Sequence, residues 1–286
     1  MAECKVCFRQ CDLKDGQTGP CGARSGKNGT VAPLWYGQIS ALALDPIEKK
    51  PLHRFYPGRR ILSVGGFGCN LHCPFCQNHE IAQAEAGYTF SVSARTMSPE
   101  TLAALAESCR PRGNIGLAFT YNEPLVGYEY VRDTAKLVHD RGMVNVLVTN
   151  GTASPEVFEE IIPFIDAMNI DLKGFTDRYY TEVLKGSRSM TMDFIREAVK
   201  WCHVELTTLI VPGENDTEEE MAELSAWVAG LGKTHNKKQG KEIPLHISRF
   251  FPRWRMTDRE ATDVRLVYRL AETARKNLDY VYTGNC

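Results

Sequence analysis

Three cysteines, Cys69, Cys73 and Cys76, stand close together in the stretch "GFGCNLHCPFCQNHE". Thiolates set so near one another, just after an apolar run, suit an iron–sulfur cluster, whose neighbouring irons need converging ligands. Four protein ligands would saturate a cubane. Three leave one iron free to take a substrate or cofactor. The competing reading is a structural zinc ion that borrows His72 or His79. Structural zinc favours paired ligands with a gap between the pairs, and CxxxCxxC has no such gap. A second group, Cys4, Cys7, Cys11 and Cys21, lies in "CKVCFRQC" and "GPCG". Four thiolates complete a closed site, of zinc or of a second cluster. Zinc would staple a segment whose own core is too small, whereas a cluster near a redox site could relay electrons. The CxxCxxxC spacing is not a standard zinc pairing; zinc or another structural role is the expectation nonetheless, with free thiols as the bland alternative.

The remaining cysteines, Cys109, Cys202 and Cys286, are scattered, and the first two sit in apolar contexts as small packing residues. Ten cysteines in 286 residues need a compartment. The start, "MAECKVCFRQCDLKDGQ", is polar and has no apolar run suited to a signal peptide. No window approaches the roughly 20 apolar residues of a membrane span. The expectation is a cytoplasmic protein with no membrane partner, where thiols serve metal or redox chemistry rather than disulfides. A net charge of −1 offers no broad basic face for nucleic acid. A hydrophobic fraction of 43% is ample for a core.

The elements that must position these residues follow from the pattern of the chain. Residues 1–52 are rich in Cys, Gly and charge and read as a small metal-held segment with a connector. From there to residue 286, short apolar runs alternate with amphipathic stretches. Strands are expected at Ile61–Phe67, Ile115–Tyr121, Val144–Thr149, Ala167–Leu172, Val204–Val211, Leu245–Phe250 and Tyr280–Tyr282. Helices are expected at Ser98–Cys109 and Ser154–Phe164, each opened by Ser-Pro-Glu. Others are expected at Tyr128–Arg141, stopped by Gly142, at Asp216–Leu231, opened by acids, and at Arg259–Asn277. Alternation of this kind makes parallel βα units. Six or so units are too few for a closed eight-fold barrel, so the fold class is α/β with an open or partial barrel. Its functional loops belong at the C-terminal strand ends. The polar run "GKTHNKKQGKEIP" reads as a solvated loop before a strand.

"CNLHCPFC" resembles the CxxxCxxC signature of radical S-adenosylmethionine (SAM) enzymes, and further matches follow in order along nearly the whole chain. The likeness is nearest to the branch of the pyruvate formate-lyase activating enzyme. Within it, "LALDPIEKKPL", "FTYNEP", "MNIDLKGF" and "HISRFFP" are similar to the AmmeMemoRadiSam system radical SAM proteins. The resemblance implies a partial (βα)6 barrel whose Cys69, Cys73 and Cys76 ligate a 4Fe–4S cluster. SAM would chelate the fourth iron and be cleaved to methionine and a 5′-deoxyadenosyl radical, which abstracts hydrogen from a substrate.

The same resemblance assigns the SAM contacts. Glu123, with Asn122 beside it, stands in the place of the family's GGE(P) motif and would pair with the SAM ammonium. Tyr121 and Asn122 replace the usual glycines. A helix N-terminal acid before Pro124 is the plain alternative for Glu123. Thr149 and Asn150 of "VTNG" can hydrogen-bond ribose or carboxylate, or simply form a turn. Val148 stands where relatives commonly carry Asp, so that contact is missing. Lys173 would sit near the SAM carboxylate with Asp171 beside it, or the two would form a strand-end salt bridge. His246 matches a SAM-contacting histidine, although a lone His is more often structural. Arg249, further along that strand, suits a substrate carboxylate or phosphate, and equally a structural ion pair.

The implied activity is hydrogen abstraction, either activase-like on a protein glycine or on another substrate. The implied partners are an electron donor such as flavodoxin or ferredoxin and a protein substrate or Memo-like and Ammecr-like proteins. A non-catalytic iron–sulfur or zinc scaffold and an RNA-modifying radical SAM enzyme are the alternatives. The ending "VYTGNC" is where relatives are expected to continue.

Overall fold

Runs such as "RILSVG" and "VNVLVT" carry apolar side chains to both faces, which a strand tolerates only when both faces are covered. In the computed structural model, which describes residues 1–83, 90, 93–235 and 239–286, they become inner strands of one sheet. Its members are β1 (Ala41–Pro46), β2 (Arg60–Gly65), β3 (Asn114–Phe119), β4 (Val144–Thr149), β5 (Ala167–Asp171), β6 (His203–Ile210), β7 (Leu245–Arg249) and β8 (Val281–Gly284). The order across the sheet is β8-β7-β6-β5-β4-β3-β2-β1. All neighbours from β2 to β8 pair in parallel. The edge strand β1 runs antiparallel to β2, with Ala41 opposite Gly65 and Pro46 opposite Arg60.

Between successive parallel strands lie α1 (Pro99–Ser108), α2 (Tyr128–Asp140), α3 (Pro155–Ile161), α4 (Arg188–Trp201), α5 (Glu218–Ala229) and α6 (Val264–Arg275). The chain therefore builds a partial (βα)6 barrel with two added strands, β8 and the antiparallel β1. The caps are local. Ser98 and Ser154 accept the N–H groups of Thr101 and Val157 at the starts of α1 and α3. Helices α5 and α6 begin later than the sequence suggests, because Thr217 and Asp263 are the residues that cap them. Two elements of the main sheet and its helices differ from expectation altogether. Residues 41–46 form β1 rather than a connector, and 188–201 form α4, capped by Ser187, where no helix is expected. The polar run 232–244 lies partly outside the described residues, and its end forms a turn at Gly240–Glu242.

The two faces of the sheet bury different layers. On one, Leu117, Leu147, Met168 and Leu206 pack with helix residues such as Leu102, Val138, Ile195 and Leu224. On the other, Ile61, Ala118, Val146 and Ala167 meet Ile47 and Leu52, both fully buried. The segment after β1 thus plugs the interior near the N-terminal strand ends. Functional groups are left to the C-terminal ends, as in other βα barrels.

Candidate active site

A cavity of about 350 Å³ opens at the C-terminal ends of β2 to β5. Cys69, Cys73 and Cys76 enter it from the loop after β2, Asn122 and Glu123 from the loop after β3. Thr149 and Asn150 line it at the end of β4, Asp171 and Lys173 at the end of β5. Burial pushes all three thiols up, Cys73 to about 12 and Cys69 well above its ordinary value, with the Glu123 charge adding to the shift at Cys69. Such thiols stay neutral unless a thiolate-binding cation draws off their protons.

The donor set fits a cluster. Leu71 N–H donates to Cys69 Sγ at 3.4 Å and Asn150 Nδ2 donates to it at 3.7 Å, the kind of N–H···S contact that tunes cluster sulfurs. Among the described residues no group of His, Cys, Asp or Glu converges as ligands of one metal ion. A cubane asks for something wider, one thiolate on each of three irons.

Each polar residue beside the thiols is tied into a loop. Glu123 is buried; Oε1 accepts Thr149 Oγ1–H at 2.7 Å and Leu125 N–H at 3.1 Å, while Oε2 accepts Asn150 N–H at 2.7 Å. It therefore does cap the turn at Pro124–Gly127, yet one lone-pair site of its four is still free. Burial lifts its pKa to about 7, against the hydrogen bonds that lower it. Asn122 accepts Gly66 N–H at 2.9 Å and donates to Gly68 O at 3.1 Å, clamping the chain just before Cys69. Asn150 also donates to Asn70 Oδ1 at 2.9 Å. Lys173 Nζ meets Asp171 Oδ2 at 2.9 Å, so the expected strand-end salt bridge exists within the cavity wall.

His246 is placed elsewhere. It is buried on β7, its Nε2 is 2.6 Å from Glu205 Oε2, and its ring stacks on Tyr282 with centroids 5.2 Å apart. It is absent from the lining of the thiol cavity; its ring is taken up by Glu205, Tyr282 and His53 instead. Arg249 makes no ion pair among the described residues; its Nε donates to Thr262 O at 2.7 Å.

The profile of the Radical SAM superfamily matches residues 63–225, more than half of the chain. A Methanocaldococcus jannaschii protein of unassigned function, MJ0808, is 36% identical over 99% of this chain and 80% of its own length. The chain belongs to the radical SAM superfamily. The pyruvate formate-lyase 1-activating enzyme of Escherichia coli is 23% identical over 66% of this chain and 75% of that enzyme. In fold, the chain is similar to Streptococcus suis SuiB bound to S-adenosylmethionine, with a TM-score of 0.58 at 12% identity over 79% of this chain and 52% of that one. A domain of a pyruvate-formate lyase-activating enzyme from Bacteroides vulgatus gives 0.51 at 15% identity, covering 59% of this chain and 99% of the domain.

In this radical SAM chain the N-terminal cysteines lie against the cluster loop. Cys21 O accepts Cys69 N–H at 3.2 Å, and Cys4 N–H donates to Cys11 O at 2.8 Å. Gly68, at φ +89°, passes so close that a Cβ would lie 2.5 Å from Cys21 O. Only glycine fits that crossing. Burial raises the thiol pKa of Cys7 and Cys11 and takes Cys21 to about 11, and each also feels the charge of Cys4. Zinc requires four ligands converging on a point, an arrangement these side chains do not adopt here.

Among the cavity residues to which the sequence reading gave no role are Lys50 and Tyr121. Tyr121 holds φ at +74°, the left-handed region where relatives of the resemblance carry glycine, at a backbone cost of about 1 kcal/mol. Its hydroxyl donates to Asp45 Oδ2 at 2.8 Å, and Asn78 Nδ2 donates to its carbonyl at 2.7 Å. "LALDPIEKKPL" holds Asp45 and Lys50 and was the available signal.

Proposed function

We propose that the cavity at the C-terminal strand ends is a SAM and substrate chamber, with Cys69, Cys73 and Cys76 ligating a 4Fe–4S cluster. The observation that carries this is the meeting of three thiols, that of Cys73 buried and those of Cys69 and Cys76 half-buried, with the polar ends of β3, β4 and β5 in one cavity. When bound, the cluster supplies the electron that cleaves SAM and starts hydrogen abstraction from substrate. Glu123 offers its remaining lone-pair site to the SAM ammonium, and Lys173 faces the carboxylate. Thr149 and Asn150 present hydroxyl and amide groups to the ribose or the carboxylate. Asn122 holds the Gly66–Gly68 segment, and so the position of Cys69.

His246 keeps a smaller part, bracing the floor of the chamber through Glu205. The N-terminal quartet supports the Cys69 loop through its backbone, and a second metal there, zinc or iron–sulfur, would require its four thiols to draw together. The finer placement is the AmmeMemoRadiSam subgroup, with flavodoxin or ferredoxin as electron donor and Memo-like and Ammecr-like proteins on its pathway. An activase-like role, making a glycyl radical on a protein, is the second reading; the activating enzymes among its relatives favour it.

The test is anaerobic loading with iron and sulfide, chemical reduction, addition of SAM and assay for 5′-deoxyadenosine. The wild type forms it, and Cys73→Ser does not. A fully loaded, reduced wild-type sample that yields none overturns the reading in favour of a non-catalytic scaffold.

A further inference from the structure

One wall of the cavity carries a charge that this assignment leaves unused. Lys50 lines the cavity, yet its side chain is only 2% exposed. Among the described residues its Nζ has one hydrogen-bond acceptor, Asp45 Oδ2 at 2.9 Å, and it lies 4.8 Å from the centre of the Tyr121 ring. An ammonium has three donors, so two remain for a further acceptor. Burying a cation with donors unsatisfied is costly, which makes a retained lysine here hard to explain by packing alone.

The charges around it do not balance. Asp45 also receives Lys49 at 3.5 Å, so a single carboxylate faces two ammonium groups. Tyr121 donates to the same Asp45 oxygen as Lys50 and adds no negative charge. The other lysine of the cavity, Lys173, is already matched by Asp171. Glu123 is engaged by three donors from its own loops. One positive charge is therefore left on the Lys49–Lys50 wall of the cavity.

We propose that Lys50, with Lys49 at the rim, anchors the oxyanion, a carboxylate or phosphate, of a small-molecule substrate. The inference deepens the reading of the cavity as a SAM and substrate chamber and rests on it. Asp45 and Tyr121 are positioning residues: the carboxylate holds the ammonium and the ring walls one side of it. An anchor of this kind suits an acidic small molecule better than a neutral peptide glycine. SAM carries a carboxylate of its own, and it is the competing source of the same chemistry.

The experiment is calorimetric titration of the reconstituted protein with malonate and with inorganic phosphate at low ionic strength, with and without SAM, and with chloride as control. SAM-loaded wild type is expected to bind one of the two saturably, and the preferred one names the substrate's anionic group. Lys50→Met should weaken that binding about tenfold or more, the loss of a charge-assisted hydrogen bond, while SAM affinity stays within about twofold. Lys50→Arg should recover part of it. If Lys50→Met misfolds, the double variant Asp45→Asn/Lys50→Met removes both charges and carries the same test. Unchanged anion binding in these variants, or none in SAM-loaded wild type, overturns the anchor. Anion binding that SAM abolishes assigns Lys50 to SAM and also overturns it. Protein that fails to bind SAM at all instead defeats the reading of the chamber.

Discussion

Glu205 has no solvent exposure, yet four donors surround its two oxygens. Arg54 N–H at 2.7 Å and His203 Nε2 at 3.0 Å reach Oε1, while His53 N–H at 3.0 Å and His246 Nε2 at 2.6 Å reach Oε2. Burial alone would raise its pKa, but the histidine and backbone donors hold it at about 2. A carboxylate whose folded pKa lies below its unfolded value stabilises the fold above the unfolded value, and that share is lost as pH falls. The window for Glu205 therefore runs from about 4.5 down to about 2. His53 acts in the same direction at milder acidity, since burial lowers its pKa from 6.5 and protonation then favours unfolding. Glu205→Gln should cost about 2–3 kcal/mol at pH 7, because an amide nitrogen now faces donors in a dry site. The cost should shrink as the pH nears the bottom of that window. Urea unfolding of both proteins across this range measures it, and a penalty independent of pH would remove the carboxylate's charge from the explanation.

Helix α4 shows how an element can be present in a sequence and still be passed over. Thr191, Phe194, Ile195, Ala198 and Val199 are buried at helical spacing, but Arg188, Arg196 and Lys200 between them make the stretch look polar. Ser187 starts the helix by accepting Met190 N–H at 3.3 Å, and Ser187→Ala should cost about 1 kcal/mol, read from the denaturation midpoint. A loss of under a few tenths would mean that packing alone holds the helix. Strand β1 hides for another reason. Its residues are only half buried at the sheet edge, and "ALALDP" ends in turn-forming residues. Inner strands were legible because burial on both faces leaves unbroken apolar runs, and the site residues that terminate them were legible with them. Lys50 was not, since nothing local to "EKKPL" says which lysine the barrel will enclose. Nor did the sequence separate His246 from the cavity, because its partner Glu205 lies 41 residues away and only the fold brings the two together.

At the scale of the molecule, the N-terminal module and the barrel meet around the cluster loop. Arg9 Nε donates to Asn70 O at 2.9 Å, Ser154 N–H donates to Val6 O at 2.8 Å, and Arg24 pairs with Glu129 at 2.8 Å. These ties, with Cys21 O on Cys69 N–H, make the quartet part of the support for Cys69, the first thiol of the proposed triad. Changes in the quartet and in the triad should therefore have different consequences. Cys73→Ser removes a ligand and should abolish both the triad's iron, about four per chain, and 5′-deoxyadenosine formation. Cys4→Ser/Cys11→Ser should keep that iron but lose the second metal, about one zinc or a further cluster's iron and sulfide. Its 5′-deoxyadenosine formation should slow without vanishing, because Cys69 loses backbone support rather than its thiolate. Elemental analysis of anaerobically purified protein separates the cases. Equal zinc and iron in the wild type and in Cys4→Ser/Cys11→Ser would show that the quartet holds no metal, and would leave the docking of backbone on backbone as its whole contribution.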